Sequence, residues 1–218
     1  MSWKEKIFSN FSLYGVTDLK TYDLSILDKI DQAYQGGVDI IQLRSKTLSD
    51  LELYKLGQEI KKIAVKCKKL FFVNDRIDLA IALEADGLHV GQDDLPVRVI
   101  RQLLKKVNQE KMYLGKSTHS FNQAVATLEE EVDYIGAGPI YATPTKKHYQ
   151  AVGLDFLKSV SRMANKPFVA IGGIDESKIH EVISAGGTRI AVVRALFNQA
   201  DVFTAARNLK EILKKGEF

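Results

Sequence analysis

The sequence has 218 residues, of which 45% are hydrophobic and 27% are charged, and its formal net charge at pH 7 is +4. This composition is typical of a folded globular protein, and it excludes both a disordered chain and a dedicated polyanion-binding surface. The basic residues lie mostly on helical segments, where a solvated face is their commoner role, so we expect no nucleic-acid partner. We expect one domain spanning residues 1–218.

A single cysteine, Cys67, excludes an internal disulfide framework. No apolar run approaches the length of a membrane span, and the segment from Met1 to Tyr14 lacks the apolar stretch of a secretion signal. These features predict a soluble cytoplasmic protein with no membrane partner.

Short apolar segments rich in Val, Ile and Leu alternate with longer amphipathic segments along the whole chain, which is the pattern of parallel βα units. The apolar segments predict strands over residues 13–17, 38–43, 70–73, 87–90, 112–116, 134–138, 168–171 and 189–193. The amphipathic segments predict helices over residues 25–34, 49–67, 77–84, 96–104, 121–128, 154–163, 176–184 and 202–213. Gly36-Gly37 and Gly186-Gly187 lie at two of the predicted helix ends, directly before strands.

Eight βα pairs with near-even spacing predict a single (β/α)₈ barrel, the TIM barrel fold, with parallel strands. An open doubly wound sheet is the structural alternative, but eight evenly spaced strands close more naturally than they fan out. In a barrel the catalytic face lies at the carboxyl ends of the strands, so polar residues there are the candidates for function.

Three polar residues end the second predicted strand on one side of it. The two-residue period places Gln42, Arg44 and Lys46 on the same side, with Leu43 on the other. A planar guanidinium and a point-charge ammonium suit a phosphate or diphosphate group. The alternative is a solvated rim of surface charges.

Carboxylates follow the third and fourth predicted strands. Asn74-Asp75 ends the third strand, and Asp93-Asp94 closely follows the fourth. Mg²⁺ is commonly bound by one or two carboxylates together with substrate phosphates, so Asp75 with Asp94 or Asp93 predicts a magnesium site. The alternative role for each aspartate is helix N-capping.

The remaining candidates follow strands five to eight. Ser117-Thr118-His119 ends the fifth strand, where a hydroxyl can donate to a ligand and His119 could transfer a proton. A structural role for this histidine is the alternative, and His89, His148 and His180 are weaker candidates for function.

Two hydroxyls and a lysine follow the sixth strand, at Thr143, Thr145 and Lys146, in a polar loop that can wrap a phosphoryl group. After strand seven comes Gly172-Gly173, and after strand eight comes Val193-Arg194. Loops in these two places often bind phosphate through backbone N–H groups.

Taken in chain order, these motifs resemble those of the thiamine-phosphate synthase family over residues 13–196. The motifs are Gln42-x-Arg44-x-Lys46, Val73-Asn74-Asp75, Gly87-Leu88-His89-Val90-Gly91-Gln92-Asp93-Asp94, Ser117-Thr118-His119, Gly138-Pro139-Ile140, Thr143-x-Thr145-Lys146 and Gly172-Gly173-Ile174. Each motif alone is common in phosphate-binding barrels, whereas the seven in this order and spacing are specific.

The resemblance implies a (β/α)₈ transferase that joins hydroxymethylpyrimidine diphosphate to a thiazole phosphate, or to its carboxythiazole phosphate form. The implied products are thiamine monophosphate and diphosphate, formed by a dissociative reaction that needs no protein nucleophile. The implied ligands of one Mg²⁺ per subunit are Asp75 and Asp94. The implied diphosphate contacts, with Ser117 and Gln42 as the diphosphate and pyrimidine neighbours, are Arg44, Lys46, Asn74 and Lys146. The implied thiazole-phosphate site consists of Thr143, Thr145, Gly173, Val193 and Arg194.

Three positions depart from the commonest form of the family. Ser45 lies where an acidic residue is usual, Lys116 lies where a small apolar residue is common, and Arg194 lies where many members have serine. None of these departures removes an implied ligand, although Arg194 alters the implied thiazole-phosphate pocket.

Two other functions are open at this point. A thiazole tautomerase on the related scaffold would use a histidine after strand five, which keeps His119 in question, but it has no use for the Asp75 and Asp94 pair. A non-catalytic sensor of phosphorylated ligands would bind without turnover. The sequence is compatible with a homo-oligomer and does not define one.

Overall fold

A computed structural model describes residues 1–143 and 150–216, and it contains a closed barrel of eight parallel strands in chain order. The strands are β1 (Leu13–Val16), β2 (Ile40–Leu43), β3 (Leu70–Asn74), β4 (Gly87–Val90), β5 (Tyr113–Thr118), β6 (Tyr134–Ala137), β7 (Phe168–Ile171) and β8 (Ile190–Val192). Because β1 pairs with both β2 and β8, the sheet has no free edge. The predicted (β/α)₈ barrel is confirmed, and the open-sheet alternative is excluded.

The helices lie on the outside of the barrel, except that the first of them precedes β1 and covers the amino-terminal end of the barrel. They are α1 (Trp3–Asn10), α2 (Ile26–Gln35), α3 (Asp50–Cys67), α4 (Ile77–Ala82), α5 (Val97–Lys106), α6 (Phe121–Leu128), α7 (Gly153–Met163), α8 (Ile179–Ser184), α9 (Arg194–Phe197) and α10 (Val202–Lys215). Among the described residues, no helix is long and apolar enough to cross a membrane.

Two of these helices, α1 and α9, are absent from the sequence-based prediction. Helix α1 begins with a capping box, in which the Ser2 side chain accepts from the Glu5 N–H and the Glu5 carboxylate accepts from the Ser2 N–H. Helix α9 is a single turn of four residues directly after β8, too short for any apolar period to show.

The strand side chains divide the core into two layers. Outward-facing residues such as Ile41 and Leu43 pack against the surrounding helices. Inward-facing residues form a second cluster inside the barrel, which consists of Phe8, Phe11, Tyr14, Val16, Ile40, Leu70, Phe72, Tyr134, Val169 and Ala191. This alternation is the period of two expected of strands with two buried faces.

Helix α1 contributes to the interior cluster and closes the amino-terminal end of the barrel. The Phe8 ring stacks on Tyr113 with centroids 3.7 Å apart, and it lies 6.5 Å from the Phe72 ring. Phe8 is 9% exposed and Phe11 is 2% exposed, so both rings are buried beneath the strands. The barrel floor is therefore an aromatic layer.

An ion-pair cluster lies at the same end of the barrel, opposite the predicted catalytic face. The Asp39 carboxylate accepts from the backbone N–H groups of Ser12 and Leu13 at 3.0 and 3.2 Å. It also pairs with Lys69 at 2.9 Å and with Lys210. Burial would raise the pKa of Asp39, but the two ammonium groups hold that pKa below its usual value. The cluster fixes the start of β1 and β2 to helix α10.

Candidate active site

A cavity of about 850 Å³ opens at the carboxyl ends of the strands, a volume within the usual range for small-molecule sites. Eleven of the predicted site residues line it, namely Gln42, Arg44, Lys46, Asn74, Asp75, Asp94, Ser117, Thr143, Gly173, Val193 and Arg194. Thr145 and Lys146 lie outside the described residues. The structure therefore brings together every predicted site residue that it describes.

The end of β2 presents two cations to the cavity. Arg44 is 9% exposed, and its guanidinium pairs with Asp18 in the loop after β1. Lys46 is more exposed, and its Nζ lies 2.6 Å from Oδ2 of Asp75. The pairing with Asp18 fixes the Arg44 fork, while Lys46 extends from the rim towards the carboxylates of the neighbouring strands.

The carboxyl groups of Asp75 and Asp94 contact each other beside Lys46. Asp75 has a left-handed backbone with φ of 60°, a conformation that is uncommon for residues other than glycine and is often found at functional sites. Asp94 Oδ2 accepts from the Gly91 N–H at 2.6 Å. Asp93, by contrast, is exposed at the rim. The geometry therefore favours Asp94 over Asp93 as the partner of Asp75.

The two carboxyl groups have opposite pKa shifts. Burial would raise the pKa of Asp75, but the Lys46 ammonium holds that pKa below its usual value. Burial raises the pKa of Asp94, the Gly91 N–H opposes this, and the neighbouring Asp75 charge raises it further. The charged form of Asp75 is therefore stabilised by Lys46, whereas the charged form of Asp94 is disfavoured by burial and by the neighbouring carboxylate.

The donor set fits a magnesium ion that takes its other ligands from water and substrate. Within residues 1–143 and 150–216, no group of three or more His, Cys, Asp or Glu side chains could hold a metal ion by itself. Two adjacent carboxylates facing a cavity match the usual Mg²⁺ site, in which substrate phosphates and water complete the coordination.

A continuous chain of hydrogen-bonded side chains crosses the barrel interior below this rim. Gln42 Nε2 donates to the Tyr14 hydroxyl at 2.7 Å, and that hydroxyl lies 3.1 Å from the hydroxyl of Tyr134. The Tyr134 hydroxyl is 2.9 Å from His89 Nδ1, and His89 Nε2 is 2.9 Å from Ser117 Oγ. Burial raises the pKa of both tyrosines, so both hydroxyls keep their protons at neutral pH.

Two interior glycines leave the space that this chain needs. A Cβ added at Gly115 would lie 2.1 Å from Tyr134 Cζ, and one added at Gly136 would lie 3.2 Å from His89 Cε1. Any larger side chain at either position would therefore displace a member of the chain.

The opposite side of the cavity is formed by the loops after β6, β7 and β8. Gly172 and Gly173 have φ of 102° and 66°, which is backbone that favours glycine. Lys178 Nζ lies 3.3 Å from the Gly173 carbonyl oxygen and 3.1 Å from Asp175 Oδ2. Arg194 is exposed at the start of α9, and its side chain makes no hydrogen bond or ion pair within the described residues. Its side chain lines the cavity.

His119 lies at the cavity wall, where its Nδ1 is 2.5 Å from the Gly138 carbonyl oxygen. Arg194 is one of three departures from the commonest family form, and the other two, Lys116 and Ser45, lie away from the cavity lining. Lys116 pairs with Glu130 at 2.8 Å, and Ser45 Oγ donates to the Leu19 carbonyl at 2.8 Å. These two substitutions therefore leave the cavity wall unchanged.

Sequence reasoning missed four residues at this site, which are Tyr14, Asp18, Tyr134 and Lys178, and it named His89 only as a weaker candidate. For His89 the signal was present, because Leu88 and Val90 belong to the outer layer and strand alternation then turns His89 inward. For Asp18 no local signal exists, since its partner Arg44 is distant in sequence. Lys178 is indistinguishable in sequence from a solvated helix residue.

Barrel and cavity together define the class of protein, a (β/α)₈ enzyme whose catalytic face presents cations and carboxylates to an anionic ligand. A family model described as "Thiamine monophosphate synthase" matches residues 13–196. Thiamine-phosphate synthase 1 of Aquifex aeolicus is 40% identical over 202 residues, which are 92% of each chain. A Methanococcus maripaludis thiamine-phosphate synthase is 35% identical over 99% of each chain.

A solved structure gives the same result. The thiamine phosphate pyrophosphorylase of Pyrococcus furiosus superposes with a TM-score of 0.86 at 30% identity, covering 95% of this chain and 98% of that one. The chain belongs to the thiamine monophosphate synthase family, whose members are transferases of thiamine biosynthesis. The family resemblance stated from the sequence is confirmed.

Proposed function

We propose that this protein condenses 4-amino-5-hydroxymethyl-2-methylpyrimidine diphosphate with 4-methyl-5-(2-phosphoethyl)thiazole, or with its carboxythiazole phosphate form. The products are thiamine monophosphate and diphosphate. One observation carries the proposal, which is that Arg44, Lys46, Asp75 and Asp94 converge from three strand ends on one cavity mouth. Two cations beside two carboxylates suit a diphosphate that binds together with a divalent cation.

The diphosphate lies against the β2 and β3 side of the cavity in this proposal. Arg44 and Lys46 bind its oxygens, with Asn74 and Lys146 as further donors. Asp75 and Asp94 hold Mg²⁺, which when bound supplies positive charge to the leaving oxygens. The bond between the pyrimidine methylene carbon and the diphosphate oxygen breaks, and the electron pair leaves with that oxygen. The side-chain cations stabilise the growing negative charge.

The second substrate occupies the opposite side. Its phosphate group binds to Thr143, Thr145 and the backbone at Gly173 and Val193, where positive φ at the glycine allows a close approach. The Arg194 side chain is available to the same phosphate from the start of α9. The thiazole nitrogen then donates its lone pair to the pyrimidine methylene cation, so no protein nucleophile is needed.

The direct test is product formation by the purified protein. Both phosphorylated heterocycles are incubated with it, and thiamine monophosphate is measured with and without EDTA, followed by addition of Mg²⁺. We expect activity that EDTA abolishes and Mg²⁺ restores. Activity that survives EDTA would contradict the metal site. Isomerisation of the thiazole alone would favour a tautomerase, and binding without turnover would favour a sensor.

A matched pair of variants separates the metal ligands from general rim charge. Asp94→Asn removes a carboxylate that contacts Asp75, whereas Asp93→Asn removes an equal charge from the exposed neighbour. We expect the first variant to require far more Mg²⁺ for half-maximal activity and the second to match the wild type. Equal Mg²⁺ requirements in the two variants would refute the assignment of Asp94.

The proposal treats residues 1–218 as one catalytic domain that acts in the cytoplasm on small-molecule substrates. Assembly into a homo-oligomer stays a prediction, and size measurement of the purified protein in solution tests it.

A further inference from the structure

The side-chain hydrogen bonds that link Gln42 to Ser117 all run in one direction. This direction follows from which atoms can donate and which can accept. An amide nitrogen only donates, so the Tyr14 hydroxyl accepts from Gln42 Nε2. The remaining hydroxyl neighbour of Tyr14 is the Tyr134 oxygen, 3.1 Å away. Tyr14 is only 2% exposed, and a buried hydroxyl without an acceptor is unfavourable, so its proton goes to Tyr134.

The same donor and acceptor argument gives the direction of the hydrogen bond between Tyr134 and His89. Once the Tyr134 oxygen accepts from Tyr14, its own proton is directed to His89 Nδ1, 2.9 Å away. A neutral imidazole with an accepting Nδ1 carries its proton on Nε2. That proton points to Ser117 Oγ, also 2.9 Å away. Within this chain, Tyr14, Tyr134 and His89 therefore each accept a hydrogen bond from one neighbour and donate one to the next.

We infer that this chain fixes His89 in its Nε2-protonated form and thereby makes the Ser117 hydroxyl a donor into the cavity. Because Ser117 Oγ accepts from His89, its proton is left for a ligand, and Ser117 lines the cavity at 8% exposure. In the other tautomer, His89 Nε2 would accept from Ser117 and withdraw that donor. Tyr14, Tyr134 and His89 are positioning residues that act through Ser117.

The surroundings hold the chain in this arrangement. The Tyr134 ring packs against Phe8, Phe11 and Phe72 with centroids 6.1 to 6.3 Å apart. The His89 ring lies against the space left by Gly136. Close packing of the buried Tyr134 ring holds its hydroxyl between Tyr14 and His89, while the half-buried His89 ring faces the cavity on one side.

The first test reads the tautomer without using activity. Nitrogen-15 chemical shifts of the histidine rings are measured on the wild-type protein at neutral pH, and the signals of His89 are assigned by their loss in His89→Gln. We expect a pyrrole-type Nε2 and a pyridine-type Nδ1 for His89. The opposite pattern, or an even mixture, would overturn the inference.

The second test uses Tyr134→Phe, which deletes one hydroxyl and keeps the ring. We expect the His89 signals to shift towards the other tautomer. Tyr113→Phe is the matched control, because Tyr113 stacks on Phe8 in the same aromatic layer but is not a member of the chain. Its His89 signals should match those of the wild type. Unchanged signals in Tyr134→Phe, or equal changes in both variants, would contradict the inference.

Catalysis gives a third test, which rests on the proposed function. Tyr134→Phe should lower kcat about tenfold, as expected for the loss of one effective hydrogen bond. Ser117→Ala should lower it by about 10²-fold, as for one electrostatic donor. In the Ser117→Ala background, Tyr134→Phe should have no further effect, because it acts only through that hydroxyl. If the kcat losses of the two single variants multiply in the double variant, Tyr134 does not act through Ser117 and the inference is refuted.

The two kinds of failure are distinguishable. A wild-type protein that makes no thiamine monophosphate overturns the proposed function and leaves the nitrogen-15 result to stand by itself. An active wild-type protein with the wrong His89 tautomer overturns only the inference.

Discussion

The Asp39 cluster at the barrel floor gives the sharpest prediction for stability. The Asp39 side chain is 8% exposed and the side chains of Lys69 and Lys210 are 17% and 15% exposed, so the ion pairs are largely removed from water. Breaking such a pair by removing one partner costs about 3–5 kcal/mol. Asp39→Asn is the perturbation of choice, because it keeps the shape and removes the charge.

The structure indicates that Asp39→Asn loses stability near the lower end of that range. Asp39 Oδ2 accepts from the Ser12 and Leu13 N–H groups, and an asparagine oxygen in the same place keeps both bonds. The asparagine NH₂ then replaces Oδ1 and faces the Lys69 ammonium, so two donors oppose each other. Burial lowers the pKa of Lys210 even beside Asp39, so the charged form of this lysine is further disfavoured when the carboxylate is removed. We expect a loss of about 3 kcal/mol at pH 7.

The pH dependence follows from the direction of the Asp39 pKa. That pKa is below its unfolded value of about 3.9, so the charged carboxylate stabilises the folded state above this pH. The contribution is lost as the pH falls through the folded pKa. The difference in the free energy of unfolding between wild type and Asp39→Asn should therefore decrease below about pH 4, because protonated Asp39 resembles asparagine.

Urea denaturation at pH 7 and again near pH 3.5 measures both effects. Asp155→Asn is the control, because its side chain is 96% exposed and its pair with Lys158 lies within one helix turn. We expect the control to change stability by less than about 0.5 kcal/mol. A loss below about 1 kcal/mol in Asp39→Asn, or a difference that grows in acid, would refute the reasoning.

Three further predictions concern the barrel interior and the site. Gly115→Ala places a Cβ 2.1 Å from the Tyr134 ring, so it should destabilise by at least about 1–3 kcal/mol in urea denaturation, and a neutral result would contradict the packing described. Phe8→Ala removes a ring stacked in the barrel floor and should cost about 3 kcal/mol by the same measurement, while an undiminished midpoint would mean that α1 is not needed to close the floor. Asp75→Ala and Lys146→Ala should lose most turnover with an unchanged circular dichroism spectrum, and unchanged rates would remove either residue from the mechanism.

The barrel was predictable because the pattern of a short apolar segment followed by an amphipathic segment repeats eight times. Apolar runs set each strand within one or two residues, and the errors have physical causes. Strand β5 continues to Thr118, past the predicted end at Lys116, because ladder pairing of Ser117 with Gly136 depends on the backbone and not on side-chain polarity. Helix α1 was missed, although the Ser2 and Glu5 capping box is visible in the sequence.

The rim of the site was more predictable than its interior. Charged residues that follow apolar strands, such as Arg44 and Asp75, indicate a catalytic face by their position alone. The contacts among Tyr14, His89 and Tyr134 were not predictable in the same way. Strand alternation turns His89 inward, but inward-facing tyrosine and histidine side chains are equally consistent with ordinary core packing. Only the closed geometry of the barrel shows that these side chains from β1, β4 and β6 meet.

The aromatic floor closes the amino-terminal end of the barrel. Among the residues that the structure describes, Phe8, Phe72 and Tyr134 fill the lower part of the barrel, and the cavity opens at the charged rim. Engineering this enzyme to accept a bulkier heterocycle therefore has little to gain from trimming residues at the bottom, where a void would cost stability. Extra room is more readily made at positions of the surrounding loops that hold no proposed ligand, because loops in general tolerate changes better than packed cores do.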